Sequence, residues 1–167
     1  FFPLHIEPES TMMVEAQMCD NQLSLLDWVV KSVPAGWFVV VKEHPGATAP
    51  RPPGFWWRVK KYPNVILAAT LEDSSDILEK AKAVASINGT VGVQSALNGL
   101  PVISFHPRFI ANCLPHVLVA NSYDTTREAI KRIENNDLPD LDTRLHSARA
   151  FSEGLSDCTF PMDHKGL

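Results

Sequence analysis

Short apolar runs alternate with helical repeats along most of this chain. Apolar runs that stop at turn residues are typical of strands buried on both faces of a parallel sheet. The pattern predicts six such strands, near residues 1–6, 37–42, 65–69, 83–87, 101–105 and 117–119. Most of the segments between them, and those after the last strand, carry apolar residues at helical spacing. This alternation predicts an α/β protein with a doubly wound parallel sheet.

Capping residues mark where the predicted helices begin. Asp20 or Asn21 precedes the first helix, and Asp73 precedes the third. Thr125, followed three residues later by Glu128, matches a capping box and predicts the start of another helix there. A last helix is expected over 141–151, and the chain after Gly154 is expected to fray. We therefore expect one domain over 1–153 and a C-terminal tail over 154–167.

Composition and charge exclude several classes of function. The 167 residues carry a net charge of -4 with scattered Lys and Arg, so nucleic acid is not an expected partner. No stretch reaches the roughly 20 apolar residues of a membrane span. The six histidines lack metal-ligand spacing, so no metal or other cofactor is expected. We expect a cytoplasmic protein and, because the chain opens on Phe1 within a strand, a piece of a longer polypeptide.

Polar side chains follow the second predicted strand. The apolar run ends at Lys42, Glu43 and His44, and Pro45 then stops the strand because it has no N–H for the ladder. Ligands of open α/β sheets bind outside the carboxyl ends of the strands. Lys42 could hold an anion and His44 a phosphate or hydroxyl. The alternative is a histidine that caps nearby backbone and a lysine at a solvated edge, and the residues alone leave both open.

A second candidate site lies where the fourth predicted strand turns into a helix. Asn88, Gly89 and Thr90 form that turn, and the helix runs on to Leu97. Free N–H groups and the helix dipole make such a junction suitable for an anion. The pattern is neither a Walker loop nor the dinucleotide fingerprint, so an ordinary tight turn is the equal alternative. Together with His44, the junction suggests a crevice shared by two strand ends.

Five sequence blocks in this order resemble the capsule polysaccharide biosynthesis family, which contains bacterial Kdo transferases of the GT-B glycosyltransferase fold. The resemblance covers about residues 1–105. It is carried by these blocks: Phe2-Pro3-Leu4-His5 with Pro8-Glu9-Ser10-Thr11, Val41-Lys42-Glu43-His44-Pro45, Tyr62-Pro63-Asn64-Val65, Asn88-Gly89-Thr90-Val91-Gly92, and Gly99-Leu100-Pro101-Val102-Ile103. By this resemblance the chain is the C-terminal, Rossmann-like half of a GT-B enzyme, which binds the nucleotide-sugar donor.

The resemblance also implies roles for individual residues. His44 and Pro45 match a motif that contacts the nucleotide phosphate in CMP-sugar-dependent transferases, and Lys42 precedes them. Thr90, Val91 and Gly92 match the turn that receives phosphate. The loop of Glu9, Ser10 and Thr11 would face the same cleft. Related transferases carry a Glu for the donor ribose where this chain has Gln94, which lacks the charge.

Several expectations follow for the reaction and its alternatives. The saccharide or glycolipid acceptor and the catalytic base would lie on a missing N-terminal domain, so this chain alone is expected to bind nucleotide weakly without turnover. No catalytic residue is assigned, and the enzyme would act at the cytoplasmic face of the inner membrane. The alternatives are a UDP-sugar 2-epimerase or CDP-glycerol phosphotransferase relative, and a non-catalytic α/β module.

Overall fold

The computed structural model describes residues 1–7, 21–47 and 49–158 of the chain. Within these ranges lie six strands: β1 (Phe2–Pro3), β2 (Val39–Lys42), β3 (Val65–Ala68), β4 (Val84–Ser86), β5 (Val102–Ser104) and β6 (Val117–Val119). Six α-helices accompany them: α1 (Gln22–Ser32), α2 (Phe55–Lys60), α3 (Ser74–Leu78), α4 (Thr90–Leu97), α5 (Tyr123–Glu134) and α6 (Leu141–Asp157). A 3₁₀ turn, Ile110–Cys113, precedes β6.

The strands form two parallel three-stranded sheets, with the orders β1-β2-β3 and β4-β5-β6. The sheets meet at the start of β1, where the Phe1 nitrogen donates to the Ala83 carbonyl at 2.8 Å. The Ala85 N–H in turn donates to the Phe1 carbonyl at 2.9 Å. The α/β class predicted from the sequence is confirmed, and the arrangement is compatible with a Rossmann-like fold.

One face of both sheets packs on α1 and α5 and forms the larger core. Alternate strand residues supply the sheet side of this core: Phe2, Leu4, Val39, Val41, Ala85, Ile87, Ile103 and Phe105. Helix α1 contributes Leu25, Leu26, Val29 and Val30, and α5 contributes Ala129, Ile130 and Ile133. This spacing is the apolar stripe of an amphipathic helix. We call this side of the molecule the α1 face.

The opposite side, the α4 face, is covered unevenly. Against β5 and β6, α4 and the 3₁₀ turn form a second core from Ala96, Val102, Phe109, Ala111, Leu114 and Val117. Against β2 and β3 the cover is thinner, because α3 has only five residues. Phe38 and Ile66 are accordingly 60% and 48% exposed. The two halves thus share a topology but differ in burial.

Two helix boundaries differ from the sequence-based predictions. Helix α5 begins at Tyr123 because the Ser122 side chain accepts from Thr125 N–H, and Thr125 is the third residue of that capping box. The prediction that Thr125 caps the helix with Glu128 was wrong. Helix α6 runs to Asp157, so the prediction that the chain frays after Gly154 was also wrong for these residues. Within the described ranges, no helix is long and apolar enough to cross a bilayer.

Candidate functional site at the strand ends

Buried polar side chains line the α4 face near the carboxyl ends of four strands. On β1 and β2 they alternate with the core residues Leu4 and Val41, which point to the α1 face. On β4 and β5 they alternate with Ile87 and Phe105 in the same way. The members, with their exposed fractions, are His5 (8%), Lys42 (4%), Ser86 (2%) and Ser104 (0%). We refer to these four residues as the polar row.

A buried polar row costs folding free energy unless its groups are paired. These strand positions are nevertheless polar on the α4 face, whereas the neighbouring positions on the α1 face are Leu, Val, Ile and Phe. Ser104 is satisfied, since its hydroxyl donates to the His106 carbonyl at 3.1 Å. The Ser86 hydroxyl is the buried polar atom of the row that has no hydrogen-bond partner among the described residues.

His5 lies at the centre of the polar row and joins β1 to the start of α4. Its Nε2 accepts the Ile87 N–H at 3.4 Å. A Cβ placed on Gly89 would lie only 3.0 Å from Cε1 of the same ring. Burial, followed by the charges of His44 and Arg51, lowers the pKa of His5 to about 4. His5 is therefore neutral at pH 7 and acts as an acceptor for the β4–α4 turn.

Helix α4 begins without a side-chain cap. Its N-cap is Gly89, and Gly92 and Val93 donate back to the Gly89 carbonyl at 3.0 and 3.2 Å. The first N–H groups of any α-helix have no acceptor inside the helix. Here those groups belong to Thr90 and Val91, and Thr90 is exposed. The N-cap position thus belongs to Gly89 and not to Thr90.

The Ser86 hydroxyl lies directly beneath the start of α4. Its Oγ would be 3.4 Å from a Cβ on Gly92 and 3.6 Å from one on Gly89. This oxygen has no hydrogen-bond partner among the described residues, although Ser86 is almost fully buried. Gly92 has a packing role as well, because its Cβ would also meet Phe109 at 3.2 Å. The junction therefore offers a hydroxyl and helix N–H groups to an acceptor-rich ligand.

Lys42 lies at the end of β2, opposite Ala68 of β3 in the parallel register. Although it is 4% exposed, no hydrogen bond or ion pair holds its ammonium within the described ranges. The ammonium lies near enough to Asp73 to contribute to the lowered pKa of that carboxyl, after the Ser75 hydrogen bonds. An almost buried cation of this kind favours a negatively charged neighbour.

His44 is exposed beyond the end of β2 and is held by a tight turn. Its Nδ1 accepts the Gly46 N–H at 3.0 Å, and its carbonyl accepts the Ala47 N–H at 3.0 Å. The proton of the neutral ring is therefore on Nε2, which is left to donate. Pro45, the next residue of this turn, is also exposed. The ring packs on the backbone of its own turn, and a hydrogen-bond donor remains available to a ligand.

Arg51 fixes this turn to the end of β1. Its guanidinium donates to both Glu43 carboxylate oxygens, at 2.7 and 2.6 Å, and to the His5 carbonyl at 2.6 Å. Nη1 also lies 3.2 Å from the Glu7 carboxylate. Glu43 is thus occupied in a bidentate ion pair, a strong and directional contact. It holds the structure that carries His44, and it is not available as a free catalytic carboxylate.

The other predicted site residues are distributed as follows. Gln94 lies on α4 one turn beyond the helix start and is exposed, Val91 is half-buried, and Gly92 is buried. Glu9, Ser10 and Thr11 lie outside the described residues. The structure therefore brings the end of β2 and the start of α4 to one edge through His5.

Sequence reasoning missed three residues of this region: His5, Ser86 and Arg51. Ser86 stands within an apolar run and carries a weak signal, a lone hydroxyl at a position expected to be buried. His5 was identified within a block of the resemblance but was given no role. Arg51 follows a proline-rich loop, and nothing local indicates that it folds back onto β1.

Two cavities lie away from these strand ends. One of about 450 Å³ lies beside β2, β3 and α3, and a larger one of about 1100 Å³ lies between α3, the end of α4 and α6. The described residues include no group of three or more His, Cys, Asp or Glu able to hold a metal ion. The chemistry at the strand ends is that of hydrogen-bond donors and one cation.

Comparison of the chain with protein-family models, with curated proteins and with solved structures returned no match. The residues and their geometry show an α/β protein with hydrogen-bond donors at the carboxyl ends of its strands.

Proposed function

We propose that this chain is the nucleotide-sugar-binding domain of a glycosyltransferase of bacterial capsule or surface polysaccharide synthesis, with a CMP-sugar as the donor. The observation that carries the proposal is the position of Lys42 and Ser86 on the α4 face at the carboxyl ends of their strands. The uncapped start of α4 lies over Ser86, and His44 is exposed beyond β2. All of these groups present donors or positive charge. A phosphate, which has only acceptors, is the ligand that matches them.

We propose that the two three-stranded sheets form one doubly wound sheet. Backbone hydrogen bonds between Phe1 and both Ala83 and Ala85 support joining the two sheets in the order β3-β2-β1-β4-β5-β6. That order reverses direction between β1 and β4, and such a switch point is where nucleotides bind in Rossmann-like folds. His5 and the start of α4 flank it. We propose that this sheet is the donor-binding half of a GT-B fold.

Each group has a role in the proposed reaction. The N–H groups of Thr90 and Val91 and the Ser86 hydroxyl would hold phosphate oxygens, and Lys42 would balance their charge. His44, with its proton on Nε2, would donate to the phosphate as the bond to the sugar breaks. Donors that are already in place stabilise the developing negative charge without reorganisation. Gln94 lines the cavity of about 1100 Å³ away from the strand ends and is given no role in this reaction.

The acceptor substrate would be bound by another domain. We propose that a second domain binds the saccharide or glycolipid acceptor and supplies the base, with the enzyme cytoplasmic and peripheral to the inner membrane. These 167 residues alone would then bind nucleotide without transferring sugar. Turnover of a CMP- or UDP-sugar by the isolated chain would contradict this division of labour.

Calorimetry with CMP, CDP and UDP tests the proposal. We expect CMP to bind, and we expect His44→Ala and Ser86→Ala each to weaken its binding about tenfold, the value of a hydrogen bond to a charged group. His146→Ala, which removes an exposed histidine from α6, is the matched control and should change nothing. Preference for CDP or UDP would favour the glycerol phosphotransferase or the epimerase alternative. Absence of binding would favour a non-catalytic module.

A further inference from the structure

Strand β3 is an uncovered edge. It pairs with β2, and among the described residues no strand pairs with its other side. Residues 65–71 contain no charge, glycine or proline, so the features that usually protect an edge strand are missing. Ile66 and Leu67 are 48% and 36% exposed, and Leu71 just beyond is 93% exposed. An apolar edge with free backbone groups is a surface that pairs with another strand.

The α4 face beside this edge is also apolar and open. Val40 and Ile66 are register partners on neighbouring strands, and Phe38 precedes them on the same side. They line the cavity of about 450 Å³ together with Ile77 of α3. We call the free strand edge and the exposed side chains beside it the β3 surface: Phe38, Val40 and Ile66 on the α4 face, Leu67 on the α1 face, and Leu71 beyond the strand.

The cavity beside the β3 surface has acidic residues at one end and basic residues at the other. Glu72 and Asp76 line the cavity at the start of the α3 segment, and Lys80 and Lys82 line it after that helix. A two-fold axis brings each surface against its own copy in reverse order. The acidic end of one copy would then meet the basic end of the other.

We propose that the β3 surface is the contact of a symmetric homodimer. The β3 strands of the two copies pair antiparallel across a two-fold axis, and Ile66 and Leu67 of each copy are buried by the other. Glu72 of one copy pairs with Lys80 of its partner. The contact uses none of the residues assigned to phosphate binding, so the proposal does not depend on nucleotide binding.

Sedimentation equilibrium over a concentration series tests the apolar part of this contact. The native chain, at 18.5 kDa per copy, should show a mass approaching twice that value as concentration rises. Ile66→Asp should remain a monomer. Ile110→Asp is the matched control, because Ile110 is 54% exposed in the 3₁₀ turn away from β3, and it should dimerise like the native chain. Circular dichroism melting checks that both variants are folded.

Charge reversal tests the geometry without touching the strand. Glu72→Lys alone and Lys80→Glu alone should each weaken the dimer about tenfold, because like charges then face each other. The double variant restores opposite charges across the axis and should recover the native affinity. Rescue in the double variant would support the two-fold arrangement. A native chain that stays monomeric at every concentration, equal loss in Ile66→Asp and Ile110→Asp, or no rescue would overturn the proposal.

Discussion

Ile66 in β3 and Ile103 in β5 both lie within short parallel strands, yet 48% of Ile66 is exposed and only 2% of Ile103. The difference separates β3 from the central strands. Strands β4 and β5 are buried along their length, between the two cores, whereas β3 is exposed or half-exposed at every residue. The central strands thus build the core, and β3 leaves an open apolar surface at the edge of its sheet.

The largest difference in stability is expected between matched truncations of these two isoleucines. Ile103→Ala should lower the free energy of unfolding by about 3 kcal/mol, since it removes buried methyl groups and leaves a cavity. Ile66→Ala should cost less than about 1 kcal/mol, because half of its side chain already contacts water. Urea unfolding at low protein concentration measures both. Equal losses of free energy of unfolding would contradict the difference in burial between Ile103 and Ile66.

The ion pair that anchors the β2 turn should be nearly as important. Arg51→Met removes a guanidinium whose side chain is 4% exposed and leaves Glu43 and Glu7 without their cation. We expect a loss of about 3 kcal/mol, typical of breaking one side of a buried pair. Arg132→Met is the control, because its pair with Asp137 is largely exposed and should be worth less than about 1 kcal/mol. Denaturant midpoints of the two variants measure the difference.

Acid should weaken the fold through His5. Its pKa is lowered to about 4 in the folded protein from 6.5, so between these values the unfolded chain binds more protons. The contribution of His5 to stability is therefore complete above pH 6.5 and is lost as pH falls toward 4, by up to about 3 kcal/mol. His5→Gln should show a shallower loss over the same window. Parallel unfolding curves from pH 7 to pH 4 compare the two, and identical slopes would rule out His5 as the source.

Sequence patterns were sufficient to locate the strands and most helices, because apolar runs and helical periodicity are local signals. The runs at 37–42 and 83–87 contain the strands β2 and β4. The expectation that every strand is buried on both faces was wrong for β3, which is exposed or half-exposed at every residue because the short helix α3 leaves it uncovered. The start of α5 was misplaced, because Ser122 and Thr125 are both good capping residues and only the fold decides between them. Arg51 and His5 could not be paired from sequence, because 46 residues separate them and the contact is to a backbone carbonyl.

The smallest expected effect is a gain in stability. Lys42→Met replaces a largely covered side chain, whose ammonium has no ion pair in the described part of the chain, with an apolar side chain of similar length. We expect the free energy of unfolding to rise by about 1 kcal/mol, since covering a charged side chain is unfavourable. Nucleotide affinity should fall in the same variant. A loss of stability would mean that Lys42 serves the fold and not a ligand.

Nuclear magnetic resonance titration with CMP is the most direct test of a phosphate site at the strand ends, because it reports which backbone amides the ligand reaches. We expect the amides of Thr90, Val91 and Gly92 to shift together with that of His44, while those of Ile66 and Leu67 in β3 stay unchanged. Inorganic phosphate should produce the shifts at α4 at higher concentration. Shifts confined to β3 or to α6, or none at all, would contradict a phosphate site at the strand ends.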